Sequence, residues 1–248
     1  MQNIWTIAKR EYKHYFISPI AYALAAGVLF MLGVAFAFLL GQSTQMALYG
    51  GGSAPDLTQL NGFFAFLLVF IVPALTMRLV ADETRMGTIE LILTSPISDF
   101  ELVAGKWLGG LLFVATLIGI TLIYPITLNF MVDPGVDYRV LLTSYLGLIF
   151  IAASFLALGT GISALFSNQL AAFLVTFVVV LTLWWLVGLP AELMPKAGAF
   201  LRYLEVNSHY AFTFNAGSIH LSDIVYFLSL IAVGIFTGAM ALESRRWR

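Results

Sequence analysis

The chain has 248 residues, of which 60% are apolar, 10% are charged and none is cysteine, and its formal net charge at pH 7 is −1. Soluble domains carry about 25% charged residues, and a soluble fold of this size could not bury so much apolar surface. The composition excludes disulfides, thiolate metal sites and cysteine nucleophiles, and it gives no indication of nucleic-acid binding. It predicts an all-α integral membrane protein.

The first predicted element is a helix over residues 2–16 that lies in the headgroup layer. Its aromatic face carries Trp5, Ala8, Tyr12, Tyr15 and Phe16 at helical spacing. Lys9 and Lys13 lie together elsewhere on the helix, and this basic and aromatic amphipathicity is typical of an interfacial helix. The alternative is a generic positively charged anchor before a membrane span. The apolar stretch that follows is too long for a signal peptide.

Long uncharged stretches place six helices of spanning length along a single domain, residues 1–248. The predicted spans cover about residues 20–40, 60–80, 107–130, 141–166, 170–189 and 224–242. Ser167, Asn168 and Gln169 predict the turn between the fourth and fifth spans. Trp184 and Trp185, near the end of the fifth span, are typical of interfacial anchors.

The distribution of Lys and Arg predicts the orientation of the spans. Six spans put both termini on one side of the membrane, and that side carries nine of the 12 Lys and Arg residues. Because positively charged loops stay in the cytoplasm, both termini and the 81–105 loop are predicted to be cytoplasmic.

Within that loop, residues 82–94 predict a short amphipathic helix. Met86, Ile89 and Leu93 would share one face, with Glu90 beside them. A compact helix between two spans is a suitable contact for a cytoplasmic partner. A charged surface turn is an equally good interpretation from the residues alone.

Two glycine pairs and two prolines predict features of helix packing. Gly105 and Gly109, like Gly234 and Gly238, have the spacing that allows close helix approach, and packing within one protomer is favoured over a dimer contact. Pro73 and Pro125 each remove a helical hydrogen bond and favour kinks.

The sequence lacks the motifs of several function classes. Gly105-Lys106 is followed by Trp107, and Phe100 stands where a P-loop needs glycine, so the chain has no ATP-binding loop of its own. No ionisable residue falls near the middle of a predicted span, which argues against an ion-coupled transporter. We predict no catalytic residue and no cofactor bound by this chain.

Two histidines in the segment before the last span raise the possibility of a metal site. His209 and His220 occur there with Glu205 and Asp223. Imidazole and carboxylate groups can bind a metal, but the spacing of these four residues matches no ligand pattern. We therefore predict no metal site.

The residues around the predicted loop helix resemble a known family. The quoted segments are Pro73-Ala74-Leu75-Thr76-Met77-Arg78, Asp82-Glu83, Gly87-Thr88-Ile89-Glu90-Leu91-Ile92-Leu93-Thr94-Ser95-Pro96-Ile97-Ser98 and Glu101-Leu102-Val103-Ala104-Gly105-Lys106. They resemble the signature of type-2 ABC-exporter permeases, most of all the gliding-motility branch. Ala8-Lys9-Arg10-Glu11 and Ser18-Pro19-Ile20-Ala21-Tyr22 also fit that branch.

The resemblance implies a transport subunit that borrows its energy from a separate ABC ATPase, where ATP and Mg would bind. Its N-terminal helix and its loop helix would contact that ATPase. The implied coupling residues are Glu83, Arg85, Thr88, Glu90, Leu93, Lys9, Glu11 and Lys13. Residues 190–222 would form re-entrant helices between spans five and six.

The resemblance also implies further partners and a location. The permease would act as a dimer, with itself or a paralogue, in a bacterial inner membrane, and an extracytoplasmic accessory subunit would join it. The alternatives are a membrane anchor that transmits force to an extracytoplasmic partner and an ATP-independent channel or secondary transporter. The substrate stays unidentified.

Overall fold

The computed structural model describes residues 2–49, 55–87, 89, 97–132, 135–194 and 197–246. These residues are almost entirely helical. The α-helices are α1 (Gln2–Ile17), α2 (Pro19–Leu48), α3 (Leu57–Thr76), α4 (Ala81–Arg85), α5 (Asp99–Ile120), α6 (Ile123–Met131), α7 (Tyr138–Leu165), α8 (Gln169–Leu181), α9 (Gly198–Leu204), α10 (Val206–Ala211) and α11 (Leu221–Arg246). A π-helical turn, Thr182–Leu186, and two 3₁₀ turns, Leu189–Glu192 and Phe214–Ala216, complete the helical segments.

Six helical segments among the described residues are long and apolar enough to cross a membrane. Their bounds are Ala21–Met46, Leu57–Arg85, Asp99–Met131, Tyr138–Leu165, Gln169–Ala191 and Leu221–Arg245. The predicted all-α membrane fold is confirmed. The turn at Ser167 is confirmed as well, because Asn168 caps α8 by accepting hydrogen bonds from the backbone N–H groups of Leu170 and Ala171.

The third span begins eight residues earlier than predicted. The Ser98 hydroxyl accepts from the Glu101 N–H, and the Glu101 carboxylate accepts from the Ser98 N–H, which forms a capping box at the start of α5. This reciprocal cap satisfies helix N–H groups that have no intrahelical partner. The prediction was wrong here because it used Lys106 as a charged boundary, whereas α5 carries Lys106 two turns inside the helix.

The same span is interrupted near its far end. The α-helix stops at Ile120 and resumes at Ile123, with a turn at Thr121 and Leu122. Pro125 has no N–H to donate to the carbonyl of Thr121, four residues earlier. The predicted kink at Pro125 is therefore present as a break between α5 and α6.

The centre of the bundle consists of α3 and α7, whose spanning windows are 67% and 61% buried. Helix α11 packs against α7 through glycines. A Cβ on Gly234 would lie 2.3 Å from the Ala157 carbonyl carbon, and one on Gly161 would lie 2.4 Å from the Gly234 oxygen. The Gly234–Gly238 pair thus brings two backbones together within the protomer, as predicted.

The segment between the fifth and sixth spans folds back along α7. Gly147 lies against Phe214 and Tyr210, whose side-chain carbons would stand within 2.8 Å of a Cβ added there. At 1.5 Å per residue, Gly147 lies about 13 Å along α7 from its first residue, Tyr138. The short helices before the last span therefore pack beside a spanning helix, as expected for the predicted re-entrant element.

The two tryptophans of the fifth span have different environments. Trp184 is buried and its ring meets Phe155 edge-on at a centroid distance of 6.3 Å, whereas Trp185 is exposed. The prediction of an interfacial anchor was wrong for Trp184, because the π-helical turn of Thr182–Leu186 carries this side chain toward α7.

Candidate functional site

The N-terminal helix α1 packs directly against α5, on the side of the bundle where the second span ends. A Cβ on Gly105 would stand 2.7 Å from the Ile7 Cβ, and one on Gly109 would stand 2.6 Å from the Glu11 Cβ. Because neither glycine has a side chain, α1 reaches the surface of α5. The Gly105–Gly109 pair also serves packing within the protomer, as predicted.

This packing buries part of the predicted aromatic face of α1 together with Glu11. Ala8, Glu11 and Tyr15 are buried, while Trp5 is half exposed. The Tyr15 ring stacks on Phe113 at 4.8 Å. Burial, and after it the charge of Glu11, raises the pKa of the Tyr15 phenol far above its ordinary value, so the hydroxyl stays protonated.

A buried lysine connects α1, α4 and α5. The Lys106 side chain is 1% exposed, and its Nζ donates to Glu11 Oε1 at 3.0 Å and to Glu83 Oε1 at 2.8 Å. Arg10 Nη2 lies 3.7 Å from both carboxylates. A buried ammonium is tolerated only when carboxylates and hydrogen bonds compensate for lost hydration. We call Glu11, Glu83 and Lys106 the charge triad.

Further polar contacts attach α4 to the rest of the bundle. The Ser163 hydroxyl of α7 accepts from the backbone N–H groups of Val80 and Ala81, at 3.2 and 3.1 Å, where α4 begins. Asp82 Oδ1 pairs with the Arg85 guanidinium at 3.3 Å and accepts from the Gln169 side-chain amide at the start of α8. The segment that leaves the second span is therefore fixed to α5, α7 and α8.

The first turn of α1 is attached to the first turn of α5. The Asn3 side-chain amide lies 3.2 and 3.3 Å from the two Glu101 carboxylate oxygens. Since Glu101 also belongs to the capping box, this contact orients α1 along α5 from its first residues. The charge triad then holds the same two helices further along.

Beside the charge triad lies a cavity of about 660 Å³, which we call the α1–α3 cavity. It is bounded by α1, the first turns of α2 and the end of α3 together with α4. Its charged lining includes Arg10, Lys13 and Arg78, and its apolar lining includes Ala21 and Leu75.

On the opposite side of the bundle, a second buried polar pair holds the re-entrant element. His209 Nδ1 lies 2.7 Å from Asp223 Oδ1, and His209 Nε2 lies 2.7 Å from the Tyr203 carbonyl oxygen. The imidazole also stacks on Tyr226 at a centroid distance of 4.1 Å. Both ring nitrogens are thus engaged by protein oxygens, and the described residues include no group of three metal-binding side chains.

A comparison with models of protein families identifies the family to which this helical bundle belongs. The model of the ABC-2 family transporter proteins matches residues 5–242. The chain belongs to this family. A comparison with curated proteins gave no match.

As an ABC-2 transporter protein, the chain is a multi-pass membrane permease, the membrane-spanning subunit of an ABC transporter and not itself an ATPase. Membership in the family implies association with an ABC ATPase subunit. The match includes α1, the charge triad and the re-entrant element, so these are parts of the family domain.

The predicted coupling residues of this permease fall into three groups. Glu11 and Glu83 belong to the charge triad and face inward. Three cations are exposed: Lys9 stands over the Trp5 ring, Lys13 lines the α1–α3 cavity, and Arg85 pairs with Asp82. Thr88, Glu90 and Leu93 lie outside the described residues. In the described part of the predicted 82–94 helix, α4 ends at Arg85 and Gly87 has a φ of 71°, so the prediction of one continuous helix was wrong there. A left-handed glycine is typical of a helix end.

The sequence reasoning missed Lys106. The signal that could have found it is the Ser98-x-x-Glu101 pattern, which predicts a helix start at Asp99 and therefore places Lys106 inside a helix. A lysine at that depth needs carboxylate partners.

Proposed function

We propose that this permease couples ATP hydrolysis by a separate ABC ATPase to export of a substrate across the inner membrane of a bacterium. Residues 1–248 act as one permease domain, with both termini and the 81–105 loop in the cytoplasm. ATP and Mg bind to the partner ATPase. The permease works as a dimer with itself or a paralogue, and the similarity to the gliding-motility branch suggests an extracytoplasmic accessory subunit.

The charge triad is the observation that best supports this proposal. Lys106 bonds at 3.0 Å to a carboxylate of α1 and at 2.8 Å to a carboxylate of the segment that leaves the second span. Both of those segments belong to the side predicted to face the cytoplasm. A force applied to either segment reaches the third span through Lys106, because a buried ion pair resists separation.

The coupling follows from population shift. ATP-bound ATPase subunits favour the outward-facing permease only if they bind it more tightly than the inward-facing one. The difference must arise at a contact between the two proteins. In this proposal α1 and the 82–94 segment make that contact, and the charge triad transmits its displacement to α5.

A pull-down tests the proposal. Tagged permease is extracted from its native membrane in mild detergent, and the co-purifying chains are identified by mass spectrometry. We expect a P-loop ATPase with wild-type permease and strong loss of it with Glu90→Lys, which reverses a charge in the proposed contact.

The matched control is Glu243→Lys. Glu243 is exposed near the end of α11, and its neighbour Arg245 donates to Ala164 O at 3.1 Å, next to Ser163, which caps α4. The Glu243→Lys variant therefore reverses a charge on the same side of the bundle as α4, but outside the proposed contact with the ATPase. Wild-type permease that recovers no P-loop ATPase, or equal loss in both variants, contradicts the proposal.

A further inference from the structure

The α1–α3 cavity has cations without partners in its lining. Its lining contains the permanent cations Arg10, Lys13, Arg78 and Lys106 against three carboxylates, Glu11, Asp82 and Glu83. Lys106 bonds to two of those carboxylates, and Arg85, from outside the cavity, pairs with the third.

Lys13 and Arg78 form no ion pair with any side chain in the described part of the chain. Both are exposed to the cavity opening. The three carboxylates of the lining are already engaged, so these two cations are available to an anion from outside the chain.

The cations approach the cavity from two sides. Lys13 and His14 lie three and four residues after Arg10, and Ile17 lies four and three residues after them, so the four residues form one stripe of α1. Arg78 stands in the turn between α3 and α4. An anion in the cavity would therefore lie between an α1 cation and the Arg78 guanidinium.

Apolar side chains also line the cavity. Ile17, at the end of α1, is 76% exposed, and Ala74 of the second span is partly exposed. Ala21, which begins the first span, and Leu75 and Leu79, toward the end of the second, complete the apolar lining and are at least 95% buried. The cavity thus lies where the first span begins and the second ends, with charged side chains at its opening and apolar side chains beside them.

We propose that the α1–α3 cavity binds the headgroup of an acidic phospholipid. The lipid phosphate accepts charge-assisted hydrogen bonds from Lys13 and Arg78, while the glycerol and the first carbons of the acyl chains lie against Ile17 and Ala74. A volume of about 660 Å³ falls within the usual range of small-molecule sites. A soluble phosphate compound would match the charges but leave the exposed apolar surface of Ile17 and Ala74 in water, so a lipid fits better.

Lipid binding can be measured on the purified full chain by native mass spectrometry. The probes are a phosphatidylglycerol and a phosphatidylcholine with the same acyl chains. We expect the wild-type permease to prefer phosphatidylglycerol, and Lys13→Gln/Arg78→Gln to bind it about tenfold more weakly, a change of about 1.4 kcal/mol, since two contacts between exposed cations and the phosphate are lost.

The matched control is Lys9→Gln. Lys9 lies on the same helix and is exposed, but it stands over the Trp5 ring and does not line the cavity. It should retain the phosphatidylglycerol preference within about twofold, because general attraction between the protein and anionic lipid changes little on loss of one surface charge.

Three outcomes overturn the proposal. Equal binding of the two lipids by wild-type permease removes the charge argument, and equal losses in Lys9→Gln and Lys13→Gln/Arg78→Gln indicate nonspecific attraction. Displacement of phosphatidylglycerol by inorganic phosphate at about 10 mM, through competition by mass action, identifies a soluble phosphate as the occupant. Binding is measured without an ATPase, so this result is independent of the pull-down.

Discussion

At the scale of single residues, Lys106 joins the third span to α1 and α4. Its side chain is 1% exposed, and its two carboxylate partners come from different helices. An isolated ammonium could not occupy that position, because the loss of hydration costs several kcal/mol. The three charges therefore depend on one another, and removal of one partner affects all three segments.

Lys106→Met keeps the length of the side chain and removes its charge. We expect a loss of about 3–5 kcal/mol in the free energy of unfolding, because two buried carboxylates lose their shared ammonium. The measurement is tryptophan-monitored unfolding in detergent. Adding Glu11→Gln should recover part of the loss, since one buried charge is then removed.

The control for this prediction is Lys9→Met. Lys9 Nζ stands 5.7 Å from the centre of the Trp5 ring at an exposed site, and such a cation–π contact is worth about 0.5–1 kcal/mol. If Lys106→Met costs no more than this control, the charge triad does not stabilise the protein.

A second residue-scale prediction concerns Glu205 in the re-entrant element. Burial raises the pKa of its carboxyl above the ordinary value of 4.5, against the smaller opposing effects of Arg202 and His209. The folded protein therefore binds this proton more tightly than the unfolded chain does. The contribution of the protonated Glu205 carboxyl to the free energy of unfolding is complete at acidic pH and is lost as the pH rises through the raised pKa. Glu205→Gln should reduce the fall in unfolding temperature between pH 4.5 and pH 7.

The comparison needs a variant that loses a carboxylate elsewhere. Glu243→Gln suits this purpose because Glu243 is exposed. The fall in unfolding temperature between pH 4.5 and pH 7 should be smaller than in the wild type for Glu205→Gln, and equal to the wild type for Glu243→Gln. A pH dependence that is the same in wild type and both variants contradicts the role given to Glu205.

At the scale of helices, the docking of α1 on α5 depends on the absence of side chains at two positions. A Cβ on Gly109 would lie 2.6 Å from the Glu11 Cβ and 3.0 Å from the Ala8 carbonyl oxygen. The clash with a backbone atom cannot be relieved by a rotamer change. Any larger residue at Gly109 therefore separates the two helices.

The chain contains no cysteine, so a single reporter cysteine can follow this separation. Ala8 is fully buried, and Ala8→Cys should react slowly with a maleimide. Adding Gly109→Val should accelerate labelling by at least about tenfold, because α1 leaves the surface of α5.

Gly119→Val is the matched control, since Gly119 is on the same helix and a Cβ there would meet no atom within 4 Å. It should leave the labelling rate of Ala8→Cys unchanged. Equal acceleration by both valines would mean that the change acts through general destabilisation.

The helices also show what the sequence could and could not predict. The six spans and the turn at Ser167 follow from hydropathy, because the bilayer imposes the length and the apolarity of each segment. The start of α5 was misplaced, since charge was treated as a boundary although Lys106 has carboxylate partners 95 and 23 residues away in sequence. Ion pairs between residues so far apart in sequence form only in the folded chain, so the local spacing of apolar and charged residues does not predict them.

The packing face of α1 was only partly predicted, for a related reason. Trp5 was grouped with Ala8 and Tyr15 on one aromatic face, yet the structure buries Ala8 and Tyr15 on α5 together with Glu11 and leaves Trp5 half exposed. Small residues at Gly105 and Gly109 selected the docking face, and the sequence of α1 alone does not contain that information.

At the scale of the whole molecule, the orientation in the membrane is the property that the remaining proposals share. Nine of the 12 Lys and Arg residues belong to segments on one side of the six spans. From the positive-inside rule we propose that this side is cytoplasmic, together with α1, the charge triad and the α1–α3 cavity.

Labelling of intact cells with a membrane-impermeant maleimide checks this orientation. Tyr49→Cys, at the far end of α2, should label in intact cells, because Tyr49 is 91% exposed and lies beyond the first span. Gln2→Cys, which is also exposed, should label only after the membrane is permeabilised. The reverse pattern would place the charge triad outside the cell and contradict the proposed coupling.

The glycine contact between α7 and α11 limits which parts of this permease can move. Where the backbones at Ala157 and Gly234 already touch, no side chain remains that could rotate to admit a closer or differently angled packing. We therefore expect α7 and α11 to move as one rigid unit during a transport cycle. Helix α2, whose spanning window is only 17% buried, has few such constraints, so we expect a conformational change to displace α2 more readily than this rigid unit.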